Sequence, residues 1–242
     1  MPLINHFSEW MRRSEQDSDK SKKKVWRTLS IPKIFRRAQD GTKNEDVHEK
    51  HPPTTDQNAI TFTDQAGNTI VVKPDPRIPL TPKQCFLLIQ NWRAIKRRIL
   101  DTGIRMFIKL FQNNEDLLTF FPRVKMDEAT NTYNTEVLES HAEKVMGVLD
   151  QAVHSVGDAD KLLNLINVYA EYHAKKPNFQ PTFFLKIAPA LLEAIKETLG
   201  DSYTENMANI YNAFIQLLIG TLMTNCQAAI QRNAEKTNET LS

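Results

Sequence analysis

From residue 81 onward, apolar side chains recur at steps of three and four, the spacing that gathers them on one face of an α-helix. The first stripe is Phe86, Ile89, Trp92, Ile95 and Ile99, and a second runs through Gly103, Met106, Phe107, Leu110 and Phe111. Leu138, Ala142, Val145, Leu149 and Val153 form a third, Leu162, Ile166 and Tyr169 a fourth. Two more follow: Phe183, Phe184, Ile187, Leu191 and Ile195, then Met207, Ile210, Tyr211, Phe214, Leu217 and Leu218. Local signals punctuate these stripes. Thr81-Pro82-Lys83-Gln84 starts a helix with a capping box and an early proline. Asp101-Thr102 and Ser202 with Glu205 offer further N-caps, and Gly157 offers a C-cap. Pro177 closes the fourth helix, whereas Pro189 lies inside the fifth, where it costs about 3 kcal/mol unless compensated. The pattern predicts an all-α fold of seven or eight helices with no strand after Thr81.

Before residue 81 the pattern changes. Residues 60–72 read as two short extended runs about Ala66-Gly67-Asn68, a small hairpin, and 74–79 as a stiff proline linker. Residues 41–57 are polar and predicted to be disordered. Eight of the twelve prolines fall at or before Pro82, so the boundary is placed near Leu80: an extension over 1–79, a helical domain over 80–232 and a polar tail over 233–242. Residues 20–37 carry eight Lys or Arg and no acid, interleaved with Val25, Trp26, Leu29, Ile31, Ile34 and Phe35. This basic amphipathic segment suits an anionic membrane surface or a calmodulin-like partner. A solvated, disordered leader has the same composition.

Composition limits the rest. Seven glycines in 242 residues leave little material for tight β-turns. The net charge of +2 is too small to imply a nucleic acid partner. Cys85 and Cys226 form no C-x-x-C pair, which removes zinc ribbons and thioredoxin-like motifs and leaves free thiols as the simplest reading. No unbroken apolar run approaches the roughly 18 residues of a membrane span, and the first ten residues lack a signal-peptide core. These features predict a cytoplasmic protein, with peripheral membrane association through 20–37.

Two of the six histidines stand out. His141 borders the apolar face of the third helix and His173 ends that of the fourth, 32 residues on. A lone histidine on an apolar face is usually a core residue. Two on adjacent helices can bring imidazoles to one centre. His6, His48, His51 and His154 lack such settings.

From about residue 80 to 231 the chain resembles a globin. The run Leu88-Ile89-Gln90-Asn91-Trp92-Arg93-Ala94-Ile95, followed by Gly103, Phe107 and Phe111, is similar to neuroglobin-like and invertebrate nerve globins. The resemblance implies haem b, with His173 as proximal and His141 as distal iron ligand. Phe121 matches the family's phenylalanine that wedges the haem, Phe107 a distal-pocket position, and Val145 the aliphatic residue one turn after His141. Lys144 matches a partner for a haem propionate, and Phe184 and Ile187 residues under the ring. Tyr169, one turn before His173, stands where the family has an aliphatic residue and joins the haem contacts. Gly103 and Ala142 match the small pair where two helices cross. The function implied is reversible binding of O2, or of CO or NO, for sensing or local buffering, with six-coordinate iron. A haem redox enzyme, turning over nitric oxide or nitrite, and a haem-free membrane or signalling adaptor are the competing classes.

Overall fold

The structure is a computed structural model that describes residues 59–127 and 132–241. The basic segment 20–37 and the polar stretch 41–57 lie outside the described residues. Strands β1 (Ile60–Thr63) and β2 (Thr69–Val72) pair antiparallel, Ile60 opposite Val72, and form the predicted hairpin. Asp64 organises its turn by accepting hydrogen bonds from the amides of Ala66 and Asn68. Helix α1 (Pro82–Lys96) opens on the predicted capping box: Thr81 Oγ1 accepts from the Gln84 amide at 3.3 Å, and Gln84 Oε1 accepts from the Thr81 amide at 2.9 Å.

The remaining helices are α2 (Ile99–Asn113), α3 (Thr135–His154), α4 (Ala159–Ala174), α5 (Phe183–Leu199) and α6 (Glu205–Leu241). Two 3-10 helices join them, Glu115–Phe120 and Gly200–Ser202. The described residues therefore hold six α-helices and two 3-10 helices, an all-α body. Helix α4 packs along α6, and α2 lies across both α3 and α5. The core includes fully buried Leu88, Ile95, Met106, Phe111, Leu138, Met146, Leu162, Ile195, Ile210 and Tyr211.

Several local expectations are corrected. The expectation of no strand after Thr81 does not hold: Met126–Asp127 pairs with Thr132–Tyr133, and buried Tyr133 anchors the return against Phe111 at 6.0 Å. A two-residue strand carries too little periodicity to read. Ile99 begins α2 rather than extending α1, and Thr102 is not its cap. The Thr102 hydroxyl donates to Arg98 O inside the helix and meets the Thr198 hydroxyl at 2.8 Å. Thr204, not Ser202, caps α6 by accepting from the Met207 amide. Gly157 is not a C-cap, since Ser155 holds that position; the glycine lies under β2. Residues 233–241 continue α6 instead of forming a separate tail.

Among the described residues one helix, α6, is long and apolar enough to cross a membrane. The expectation that nothing approaches a span is corrected to that extent. Met207, Ile210, Tyr211, Phe214, Ile215 and Leu218 of this helix are buried in the core, which accounts for its apolarity. The prediction for Pro189 fares better: α5 passes through it as one helix, with the proline on the exposed face.

Candidate functional site

The α3 side of the site depends on how closely α3 can approach α2. A Cβ on Gly103 would lie 2.7 Å from Met146 Cγ and 3.1 Å from Ala142 Cβ, so only glycine permits this crossing. That is the packing expected of the Gly103 and Ala142 pair. With the helices seated, His141 faces two rings from the other wall: Phe107 at 5.0 Å and Phe121 at 5.5 Å between centroids. Phe107 and Phe121 touch at 6.0 Å, and Phe111 backs both, at 6.0 and 4.9 Å. Phe121 reaches this cluster because the 3-10 turn ends on it, its amide donating to Leu118 O. Lys144 and Val145, one turn along α3, are half-buried.

On the α4 side, His173 Nδ1 lies 2.7 Å from Tyr169 O, one turn back on its own helix. A carbonyl only accepts, so Nδ1 carries the proton and Nε2 keeps its lone pair. Three rings surround this imidazole: Phe179 at 4.9 Å, Phe184 at 5.1 Å and Tyr172 at 5.5 Å. Lys176 Nζ sits 4.1 Å above the Tyr172 ring. Tyr169 is half-buried against the core, as is Ile187 on α5.

Phe179 was absent from the sequence reading. It follows the helix stop at Pro177 and is turned inward by Asn178, which adopts φ 60°. Asparagine tolerates this left-handed conformation better than other non-glycine residues. An asparagine after a proline stop, followed by an aromatic residue, was the available signal. Helical periodicity does not register a residue in a loop.

Electrostatics make both imidazoles neutral at pH 7. Burial, then the charge of Lys144, then that of His173 push the His141 pKa down to about 3. Burial also lowers His173, opposed by its bond to Tyr169 O, while Lys176 pushes the same way as burial. A neutral imidazole nitrogen is the form that ligates a metal. Among the described residues no group of three His, Cys, Asp or Glu could hold an ion. Each of the two imidazoles is lined by aromatic rings, a setting that suits an apolar, metal-bearing group. The hollow at the α1–α2 corner, between Lys96 and Ile104, contains none of these side chains.

The family model described as Globin matches residues 104–222. A solved structure, that of a hexacoordinated heme protein from an anhydrobiotic tardigrade, is 31% identical, with a TM-score of 0.59, over 64% of this chain and 99% of that one. The chain belongs to the globin family. It is also similar to cytoglobin-1 of Oryzias latipes, 23% identical over 58% of this chain and 80% of the relative. Neuroglobin of Danio rerio is 25% identical over 59% of this chain and 90% of its own length.

Proposed function

We propose that this chain is a haem b globin that binds O2 or another diatomic gas reversibly, with His173 and His141 as the residues that would hold its iron. Haem iron supplies the gas-binding position and a one-electron redox couple, tuned by its axial ligands and the polarity around it. The observation that carries the reading is the hydrogen bond of His173: Nδ1 lies 2.7 Å from Tyr169 O, so Nε2 would be the ligating atom. A histidine whose second nitrogen is bonded in this way is oriented as well as made more basic.

The other residues exclude water and position the ring. Phe121 and Phe107 close the His141 side, Phe184 and Ile187 the His173 side, and Val145 the edge beside α3. Lys144 supplies the charge for a propionate. Phe107 brings no hydroxyl into the site, so the neutral His141 imidazole is the polar group that meets an incoming gas. Its lone pair would compete for the position of a bound gas, lowering apparent gas affinity by the fraction of protein in which His141 stands aside. Such competition suits sensing or local buffering of O2, CO or NO. It also matches the coordination named for the tardigrade relative. The basic segment 20–37 would direct the chain to an anionic membrane surface or a calmodulin-like partner from the cytoplasm.

Titration of the purified chain with haemin, followed by visible absorption, tests the core of this reading. Saturation at one haem per chain, with a Soret band that shifts under CO, is the expected result. No Soret band would overturn it and leave a haem-free adaptor. For the leader, cosedimentation of the full chain with phosphatidylserine vesicles at low salt is expected, and a chain starting at residue 59 should remain in solution.

A further inference from the structure

The hairpin and the segment after it are fastened to the helical body at two places, and both bear on the helices that carry the histidines. At one end, the β2 backbone lies directly on the α3–α4 corner. A Cβ on Gly157 would come within 2.9 Å of Val71 O and 3.3 Å of Val72 Cα, so the corner needs glycine for the strand to seat. The Lys73 amide donates to Gly157 O at 2.9 Å. Val72 and Val156 are 2% and 1% exposed. Further along, Ile78 and Leu80 are buried, and Arg77, oriented by Asp75, reaches Asp160 in the first turn of α4 at 2.8 Å. Residues 74–80 therefore do more than span a distance.

At the other end, the hairpin grips α1. Phe62 stacks on Phe86 at 4.9 Å with an interplanar angle of 19°, and Asp64 pairs with Arg93 at 2.6 Å. The Asn68 side chain, the first of several hydrogen-bond donors to it, keeps the Asp64 carboxyl well below the usual carboxylate range. Helix α1 in turn holds the last part of α3, because Trp92 Nε1 and Lys96 Nζ both donate to Asp150, at 3.0 and 2.9 Å.

We propose that residues 60–80 are a strap: by clamping the C-terminal end of α3 to α1 and to the start of α4, they set the pivot about which α3 carries His141 toward or away from His173. The geometry gives the lever. His141 lies 154 − 141 = 13 residues before the end of α3, about 20 Å at 1.5 Å per residue. A tilt of about 5° about the clamped end moves its backbone by about 2 Å, enough to make or break a ligand bond. The functional half of this inference rests on the haem-globin reading; the mechanical half does not. The strap also links the chain before residue 59 to the site, so that a surface engaging the leader would load the pivot.

Amide hydrogen exchange on the full chain tests it. Phe62→Ser with Asp64→Asn removes the grip on α1 without touching α3 or α4. Exchange across 155–161 and 138–146 is expected to rise about tenfold through local opening, while 188–195 in α5 keeps its rate. In the haem-loaded chain, the same variant is expected to change the rate at which CO displaces His141. Wild-type exchange across 138–146, despite an opened hairpin, overturns the proposal, as does a uniform rise that includes α5. If amides 60–72 stay protected in that variant, Gly157→Val, which wedges β2 off the corner, is read by the same criteria. Continued protection of the hairpin in both also overturns it. Failure of the haem reading shows separately, as a missing Soret band in the wild type, and leaves the exchange result legible.

Discussion

The α3 and α4 sides of the site contain the same residue type in different physical settings. His173 has its Nδ1 committed to the carbonyl of Tyr169 at 2.7 Å, and this bond partly offsets the effect of burial on its pKa. His141 is enclosed by Phe107 and Phe121, and burial, the largest cause, takes its pKa down to about 3. One imidazole is therefore oriented by its own helix and made the stronger donor. The other is placed by the crossing of α3 on α2, so its position depends on where a whole helix sits. Under the haem reading proposed above, these settings suit a fixed ligand and a movable one.

The comparison breaks most sharply under substitution. His173→Ala is expected to weaken haem retention more than about a hundredfold, beyond the loss typical of removing a supporting partner alone; transfer of haem to apomyoglobin measures it. His141→Leu is expected to keep haem within about tenfold of the wild type and to speed CO binding, because the competing ligand is gone. Equal haem loss from both variants would erase the asymmetry.

Packing substitutions come next. Phe179→Ala opens a cavity beside His173 and is expected to destabilise the chain by about 2–3 kcal/mol, less than a fully buried phenylalanine. Gly103→Val forces α2 from α3 and is expected to cost about 1–3 kcal/mol by overpacking. The two separate in their effect on CO kinetics, since only Gly103→Val moves the helix that carries His141. Denaturant unfolding and flash photolysis measure the pair.

The gentlest probe is pH. In the haem-free chain both imidazoles are neutral when folded, and both have folded pKa values below the unfolded value of roughly 6.5. Below that pH the unfolded chain takes up protons that the folded chain refuses, so stability falls as pH drops below about 6.5; His141 contributes up to about 1.4 kcal/mol per pH unit until its folded pKa of about 3 is passed, and His173 adds to the fall in the same direction. Above 6.5 these groups contribute no pH dependence. His141→Leu is expected to flatten the curve down to the low end of this window, as pH-dependent denaturant unfolding would show.

The sequence showed the helices, the hairpin and the two histidines, because each is encoded in spacing or in a residue type with one physical use, and the Gly103–Ala142 crossing followed from the resemblance to globins. It did not show what lies between regular elements. Phe179 enters the site through a left-handed Asn178, and Tyr133 anchors a strand of two residues; neither belongs to a period. Gly157 could be read as a helix cap from its position alone, although its role comes from a strand more than eighty residues earlier. Residues 74–79 looked like a linker because proline content says nothing about whether Ile78 is buried. Such long-range contacts have no local signature.

The account turns on both histidines holding the same iron, and the spin state of the gas-free ferrous protein tests that most directly. Visible absorption of the reduced, haem-loaded full chain at neutral pH is expected to show six-coordinate, low-spin iron that becomes five-coordinate and high-spin in His141→Leu. A five-coordinate, high-spin spectrum in the wild type would contradict it, and would leave His173 as the sole protein ligand.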